Sequence, residues 1–186
     1  MRHITKRPSV HRTPHGTRQT LQHYIADLIY GTNDGILTTF AIVAGVSGGE
    51  LSSGAVLIVG IANLFADGLS MGVGNYLSIR AHESALEAQG LPEEEAYPVR
   101  HGFATFLAFA IAGSIPLVPY LVPGLENRFL ISTLMALGAQ FLVGSLRSVV
   151  TTGRWWASGL EMLGLGALVA VIAYGTGAGI ASLVHP

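Results

Sequence analysis

Five long apolar stretches constrain what this chain can fold into. They cover residues 28–46, 56–79, 102–122, 129–150 and 158–183, and each is close to the roughly 20 residues that a helix needs to cross a bilayer. Inside lipid every backbone N–H and C=O must be bonded within the protein, and these stretches lack the alternating pattern of barrel strands. The sequence therefore predicts an all-α integral membrane protein with five transmembrane helices in a lipid bilayer.

Composition supports this class and limits the chemistry. Half of the 186 residues are hydrophobic, 11% are charged and the net charge is −1, so we expect no nucleic-acid partner. The chain has no cysteine, which excludes disulfides, thiolate metal sites and cysteine nucleophiles. Any bound metal must use oxygen, nitrogen or thioether ligands. We expect no resident cofactor and no enzymatic activity.

The basic residues predict the orientation. Residues 1–23 hold five of the ten lysines and arginines and no acid, which indicates a disordered cytoplasmic tail, although an organelle transit peptide has a similar composition. With the amino terminus in the cytoplasm, nine of the ten basic residues lie inside and the carboxyl terminus lies outside. A cell inner membrane and a vacuole-type membrane both fit this bias. Residues 24–186 then form the transmembrane domain.

The acidic loop at 80–101 is expected on the cytoplasmic side. Good helix formers run to Gln89, ahead of a Gly-Leu-Pro break, so the second helix should extend beyond the membrane to about that residue. Glu83 and Glu87 would share a face there and, with His23, are candidate residues for metal entry. A solvated helix end with no role in metal binding explains the same acids.

Carboxylates inside two apolar segments are the strongest functional signal. A charged group at bilayer depth costs roughly 2.5–3.5 kcal/mol on insertion scales, so it usually faces a partner, a cavity or a substrate path. Asp34 and Asp67 are such groups, and a purely structural pair that fixes helix packing is the alternative. Helical spacing places polar and small residues on one stripe of each helix: Asp27, Gly31, Asp34, Thr38 and Gly45 on the first, and Asn63, Asp67, Ser70, Met71, Gly74 and Ser78 on the second.

Asp34 and Met71 are expected at similar depth, because the first helix runs outward and the second returns. The rise of about 1.5 Å per residue places them roughly 10 and 13 Å from the inner boundary. A carboxylate with a thioether suits a borderline ion such as ferrous iron, and manganese also fits. Taken alone, Met71 is better explained by gap filling, which is the common role of methionine in apolar surroundings. Because metal binding displaces protons from carboxylates, exchange of metal for protons is a reasonable hypothesis.

Several motifs resemble the vacuolar iron transporter family. They are Asp27-Leu-Ile-Tyr-Gly-Thr-Asn-Asp34-Gly, Gly60-Ile-Ala-Asn-Leu-Phe-Ala-Asp67-Gly-Leu-Ser-Met71-Gly, Gly74-Asn-Tyr-Leu-Ser and Gly159-Leu-Glu-Met-Leu-Gly-Leu-Gly. The resemblance implies a five-helix homodimer that exports ferrous or manganous ions from the cytoplasm against protons, with the pathway at the dimer interface. It also implies that Asp27, Asp34 and Met71 contact the metal.

The chain departs from that family in three places. Asn63 stands where well-known members have a glutamate, with Asp67 one turn later, and His23 stands where they have a glutamate at the cytoplasmic mouth. Residues 80–101 are too few for the glutamate-rich cytoplasmic metal-binding domain of those members, so the chain is similar to short and nodulin-like relatives. Two other readings remain open. One is a metal-binding sensor or scaffold without transport, and the other is an intramembrane metal-dependent lipid enzyme.

Overall fold

The computed structural model describes residues 8–148 and 153–184. In chain order, its helices are α1 Gly16–Gly48, α2 Ser53–Ala88, α3 Pro98–Gly113, a 3-10 turn Ile115–Leu117, α4 Val118–Leu121, α5 Arg128–Arg147 and α6 Trp155–Val184. Within these ranges the only extended pairing is an isolated parallel bridge between Ser9 and Glu93. The predicted all-α class is confirmed.

Four helical spans in the described residues are long and apolar enough to cross a membrane. They are Ser53–Ala88, Pro98–Leu121, Arg128–Arg147 and Trp155–Val184. Large apolar side chains cover their outward faces, among them Ile58, Phe65, Leu134, Leu142 and Val171. In water such a surface would be costly, whereas lipid solvates it. The chain is therefore a multi-pass membrane protein, and the fifth span, which α1 would supply, stays a prediction.

The helix boundaries correct some expectations and confirm another. The predicted disordered tail at 1–23 is too long, because α1 already begins at Gly16. The helix can start there because no helix breaker occurs between Thr17 and His23, and because His23 packs against α3. Residues 1–7 lie outside the described residues, as does the predicted end of the fourth span at 150. The predicted extension of the second helix is confirmed, since α2 ends at Ala88 with Gln89 as its C-cap.

Glycines let α1 and α2 pack directly on the backbone of α3. A Cβ placed on Gly31 would lie 2.5 Å from the carbonyl oxygen of Thr105, and one on Gly35 would overlap the carbonyl of Phe109. On the other side of α3, a Cβ on Gly72 would lie 2.7 Å from the carbonyl oxygen of Gly102. The small-residue spacings in the first two segments therefore mark close helix packing.

Proline interrupts the third span, and a neighbouring helix compensates. Pro116 lies in the 3-10 turn that follows α3, because proline cannot donate the helical hydrogen bond. Ser132 of α5 donates its hydroxyl to the carbonyl oxygen of Pro116 at 2.6 Å, and both residues are buried. Side-chain donors of this kind satisfy backbone groups that would otherwise face lipid without a partner.

We expect Gly35→Ala to destabilise the bundle and Gly138→Ala to leave it intact. The added methyl group at Gly35 would meet the Phe109 backbone, and such overpacking costs about 1–3 kcal/mol or more. Gly138 has no atom within 4 Å of its Cβ position, so alanine there should be neutral or stabilising by up to about 1 kcal/mol. Unfolding in mixed detergent micelles measures both. Equal stability of the two variants would contradict the packing described here.

Candidate metal centre

Two groups of polar side chains lie along α1. One group surrounds its amino-terminal part, where α3 begins and residues 89–97 connect α2 to α3. The other lies about two turns further on, around Asp34. The structure thus separates the residues that the sequence singled out into two groups, which we call the mouth, around the amino-terminal part of α1, and the Asp34 group.

Three side chains converge at the mouth, and we call them the triad: His23, Glu95 and His101. His101 Nε2 lies 3.1 Å from Glu95 Oε2 and 3.2 Å from His23 Nε2. His23 Nε2 lies 3.3 Å from the same carboxylate oxygen. The three come from α1, the 89–97 connection and the first turn of α3. His101 is buried, and the other two are partly buried.

Asp27 holds the inner side of His101. Its Oδ2 lies 2.6 Å from His101 Nδ1, and its Oδ1 accepts a 2.7 Å hydrogen bond from the amide of Asn75 on α2. Asn75 also donates to the hydroxyl of Thr105 at 2.8 Å. Asp27 is only 9% exposed, so these partners replace the water that a carboxylate would otherwise require. This hydrogen-bond network joins α1, α2 and α3 next to the triad.

Glu83 holds the backbone of the 89–97 connection beside the triad. The side chain is buried, and its Oε1 accepts hydrogen bonds from the backbone N–H groups of Glu94 and Glu95 at 3.1 and 2.7 Å. It therefore fixes the position of the triad carboxylate. Glu87, one turn further along α2, is exposed. The two entry candidates thus occupy different environments.

The Asp34 group contains the remaining predicted residues. Asp34 and Asp67 are both half-buried, and their carboxylates lie within electrostatic range of each other. Asn63, one turn before Asp67, has a buried amide nitrogen with no partner in the described residues. Met71 is half-buried and packs against the hydrophobic core around Phe40 and Phe109. Asp34 and Asp67 thus influence each other electrostatically, while Met71 also has a packing role.

Sequence reasoning missed Glu95, His101 and Asn75. Glu95 was visible only as one of several loop acids, and His101 only as the boundary of the third segment. A usable signal was present, because His23 and His101 precede two neighbouring apolar segments that start at the same side of the membrane. Asn75 follows Met71 by four residues, so helical spacing places it on the same inward-facing stripe as Asp67 and Met71.

The donor sets of the two groups suit divalent transition metals. Two imidazoles with one carboxylate match ferrous iron, cobalt and zinc. Asp34 and Asp67 supply hard oxygen ligands, which also suit manganese. A multi-pass membrane protein with two such groups of possible ligands along one helix has the architecture expected of a protein that handles metal ions at a membrane.

Comparison with known proteins places the chain in one family. The family model described as the VIT family matches residues 25–97 and 84–178, which together cover most of the sequence. This protein is therefore a member of the VIT family.

Relatives with curated names agree. The chain is 47% identical over 75 residues to "Vacuolar iron transporter" of Toxoplasma gondii, a match that covers 40% of this chain and 25% of that protein. It is 25% identical over 213 residues to "Vacuolar iron transporter 1" of Arabidopsis thaliana, covering 83% of this chain and 85% of that one. "Vacuolar iron transporter 2" of Oryza sativa subsp. japonica is 25% identical over 222 residues, with 88% and 90% covered. The last two alignments are longer than the 186 residues of this chain, so those relatives contain positions that it lacks.

We expect Asn75→Ala to destabilise the protein. The change removes the donor to Asp27 and to Thr105, and a buried acceptor without a donor costs roughly 1–3 kcal/mol. Ser84→Ala, at an exposed position further along α2, is the control and should have little effect. Unfolding in mixed detergent micelles compares the two variants with the original protein. A stability of Asn75→Ala equal to that of Ser84→Ala would contradict the role given to the network.

Proposed function

We propose that this protein transports divalent metal ions, ferrous iron or manganese, out of the cytoplasm in exchange for protons. The observation that carries this proposal is a pair of half-buried carboxylates, Asp34 on α1 and Asp67 on α2, within electrostatic range of each other. The names of the relatives, which are vacuolar iron transporters, support iron as a substrate. The same names support a transporter rather than an enzyme.

Charge balance explains why a divalent cation fits between these helices. Each ionised carboxylate at bilayer depth is costly alone, and two within range of each other also repel. A single divalent ion neutralises both and replaces lost water with ligand contacts. Asn63 can add its amide oxygen by a flip of the side-chain amide, since the assignment of nitrogen and oxygen is interchangeable in shape. Met71 supplies a soft sulfur that favours iron over magnesium or calcium.

Proton exchange follows from the same ligands. A carboxylate binds metal in its deprotonated form, so metal and protons compete for the same oxygens. When the metal leaves, protons are the cations available to neutralise the pair. The bias of basic residues places the mouth on the cytoplasmic side, which makes export the direction of metal movement.

A homodimer completes the path. Asn63 and Asp67 border the outward face of α2, where the described monomer covers them only partly. A stripe of small residues runs beside them on the exposed side, consisting of Ala62, Ala66, Ser70, Gly74 and Ser78. Lipid cannot solvate the polar groups, whereas a second copy can, and small residues allow its helix to approach closely. The pathway then lies between the two protomers.

We expect Asp34→Asn and Asp67→Asn to abolish most metal transport, because each removes a charge that balances the ion. The measurement is uptake of Fe²⁺ and Mn²⁺ into proteoliposomes with internal pH recorded. Glu126→Gln, an exposed acid before α5, is the control and should transport normally. Transport by Asp34→Asn at the original rate would refute the proposed site. Metal bound without flux by the original protein would instead favour a sensor or scaffold.

We expect Gly74→Leu to dissociate the homodimer. Gly74 has no atom within 4 Å of its Cβ position in the single chain, so leucine fits the monomer and clashes only with a partner on this face. Gly164→Leu, at an equally open position of α6, is the control. Light scattering of the detergent-solubilised protein gives the mass of each. A dimer that persists in Gly74→Leu, or an original protein that is monomeric, would contradict the proposed interface.

A further inference from the structure

We propose that the triad, His23, Glu95 and His101, binds one divalent transition-metal ion at a site distinct from the Asp34–Asp67 pair. The binding itself is independent of the proposed transport. Its role as a loading site, which receives the ion before the transmembrane carboxylates, rests on that proposed function.

The distances between the three ligand atoms match a metal site. They are 3.1, 3.2 and 3.3 Å. In a tetrahedral site with metal–ligand bonds of about 2.0–2.1 Å, neighbouring ligand atoms are about 3.3–3.4 Å apart. The triad needs adjustments of only a few tenths of an ångström to hold an ion. Three protein ligands leave a coordination position open, which suits an ion that must later move on.

The ligand atoms are held in place before any ion arrives. The short contact between Asp27 and His101 Nδ1 directs the opposite nitrogen, Nε2, into the triad. A carboxylate on the far nitrogen is the usual support of a metal-binding histidine. Glu95 is fixed through its backbone by Glu83. His23 is packed edge-on against the rings of Tyr24 and His101.

The segment before α1 closes the other side of the triad. Val10 donates its N–H to the carbonyl oxygen of Glu93 at 2.8 Å, and Glu93 donates to that of Pro8 at 2.9 Å. This pairing brings His11 Nδ1 to 3.4 Å from Glu95 Oε2. The side chain of His11 is only 6% exposed, and its buried Nε2 has no partner in the described residues. His11 thus covers the triad carboxylate from this side but is not one of its three ligands.

The donor set selects the class of ion. Two imidazole nitrogens and one carboxylate oxygen favour Fe²⁺, Co²⁺ and Zn²⁺, whereas Mg²⁺ and Ca²⁺ prefer oxygen alone. The triad is therefore more selective for transition metals than Asp34 and Asp67 are. It lies at the start of a line along α1, because Asp27 contacts His101 and Asp34 follows two turns later, about 10 Å away.

The test uses Co²⁺, whose visible absorption reports nitrogen coordination of low symmetry. Tag-free full-length protein in detergent is titrated in the Asp34→Asn background, so that the transmembrane carboxylate pair is disabled. His101→Ala, His23→Gln and Glu95→Gln should each weaken binding by at least tenfold and lose the absorption band. His82→Ala is the matched control, because His82 pairs with the exposed Glu94 at 3.3 Å outside the triad. It should bind as the background protein does.

The outcomes of this titration distinguish metal binding at the triad from the proposed transport. Equal Co²⁺ affinity in the triad variants and in His82→Ala would overturn the triad site, and the three side chains would then form only a hydrogen-bonded cluster. This conclusion would hold even if Asp34→Asn still abolished metal flux. Loss of binding in the triad variants would support the site, even if the original protein showed no flux. His23→Gln serves as the decisive variant if His101→Ala does not fold, because His23 is the more exposed imidazole of the two.

Discussion

The direct contact of α1 and α2 with the backbone of α3 is the constraint on which the rest of the structure depends. Gly31, Gly35 and Gly72 have no side chain to separate the helices, and in lipid such packing replaces the hydrophobic effect as the source of association. Because the three backbones lie so close, Asp27, Asn75 and Thr105 can form short hydrogen bonds across them. A wider bundle would leave these polar groups in lipid without partners.

The same packing distributes the charges along α1 in two environments. Both carboxylate oxygens of Asp27 have partners, and one of them orients His101. Asp34 and Asp67 are only half-buried, and the divalent cation proposed above would balance their charges. Glu161, in contrast, forms an ion pair with Arg147 at 2.5 Å between α6 and α5, on the far side of the bundle from α2, which assigns it to helix pairing.

Most of the fold was predictable, and the site was predictable in part. Apolar length predicted the four spans from Ser53 onward, and glycine spacing indicated the close contacts, because both depend on local sequence. The start of α1 at Gly16 was not predictable, since it depends on contacts of His23 and the preceding segment with residues about 80 positions away. Glu95 and His101 were missed for the same reason. Asp34 and Asp67 were found because a charge in an apolar helix is conspicuous without any knowledge of its neighbours.

The location of a bound metal ion tests the central claim most directly. Anomalous diffraction from crystals of the full chain grown with Mn²⁺ would show where the ion lies between the helices. We expect a peak in contact with the carboxylates of Asp34 and Asp67, within the apolar depth of the bundle. Peaks confined to exposed acids such as Glu87 and Glu94, with nothing beside Asp34, would contradict the claim that these buried carboxylates carry the metal.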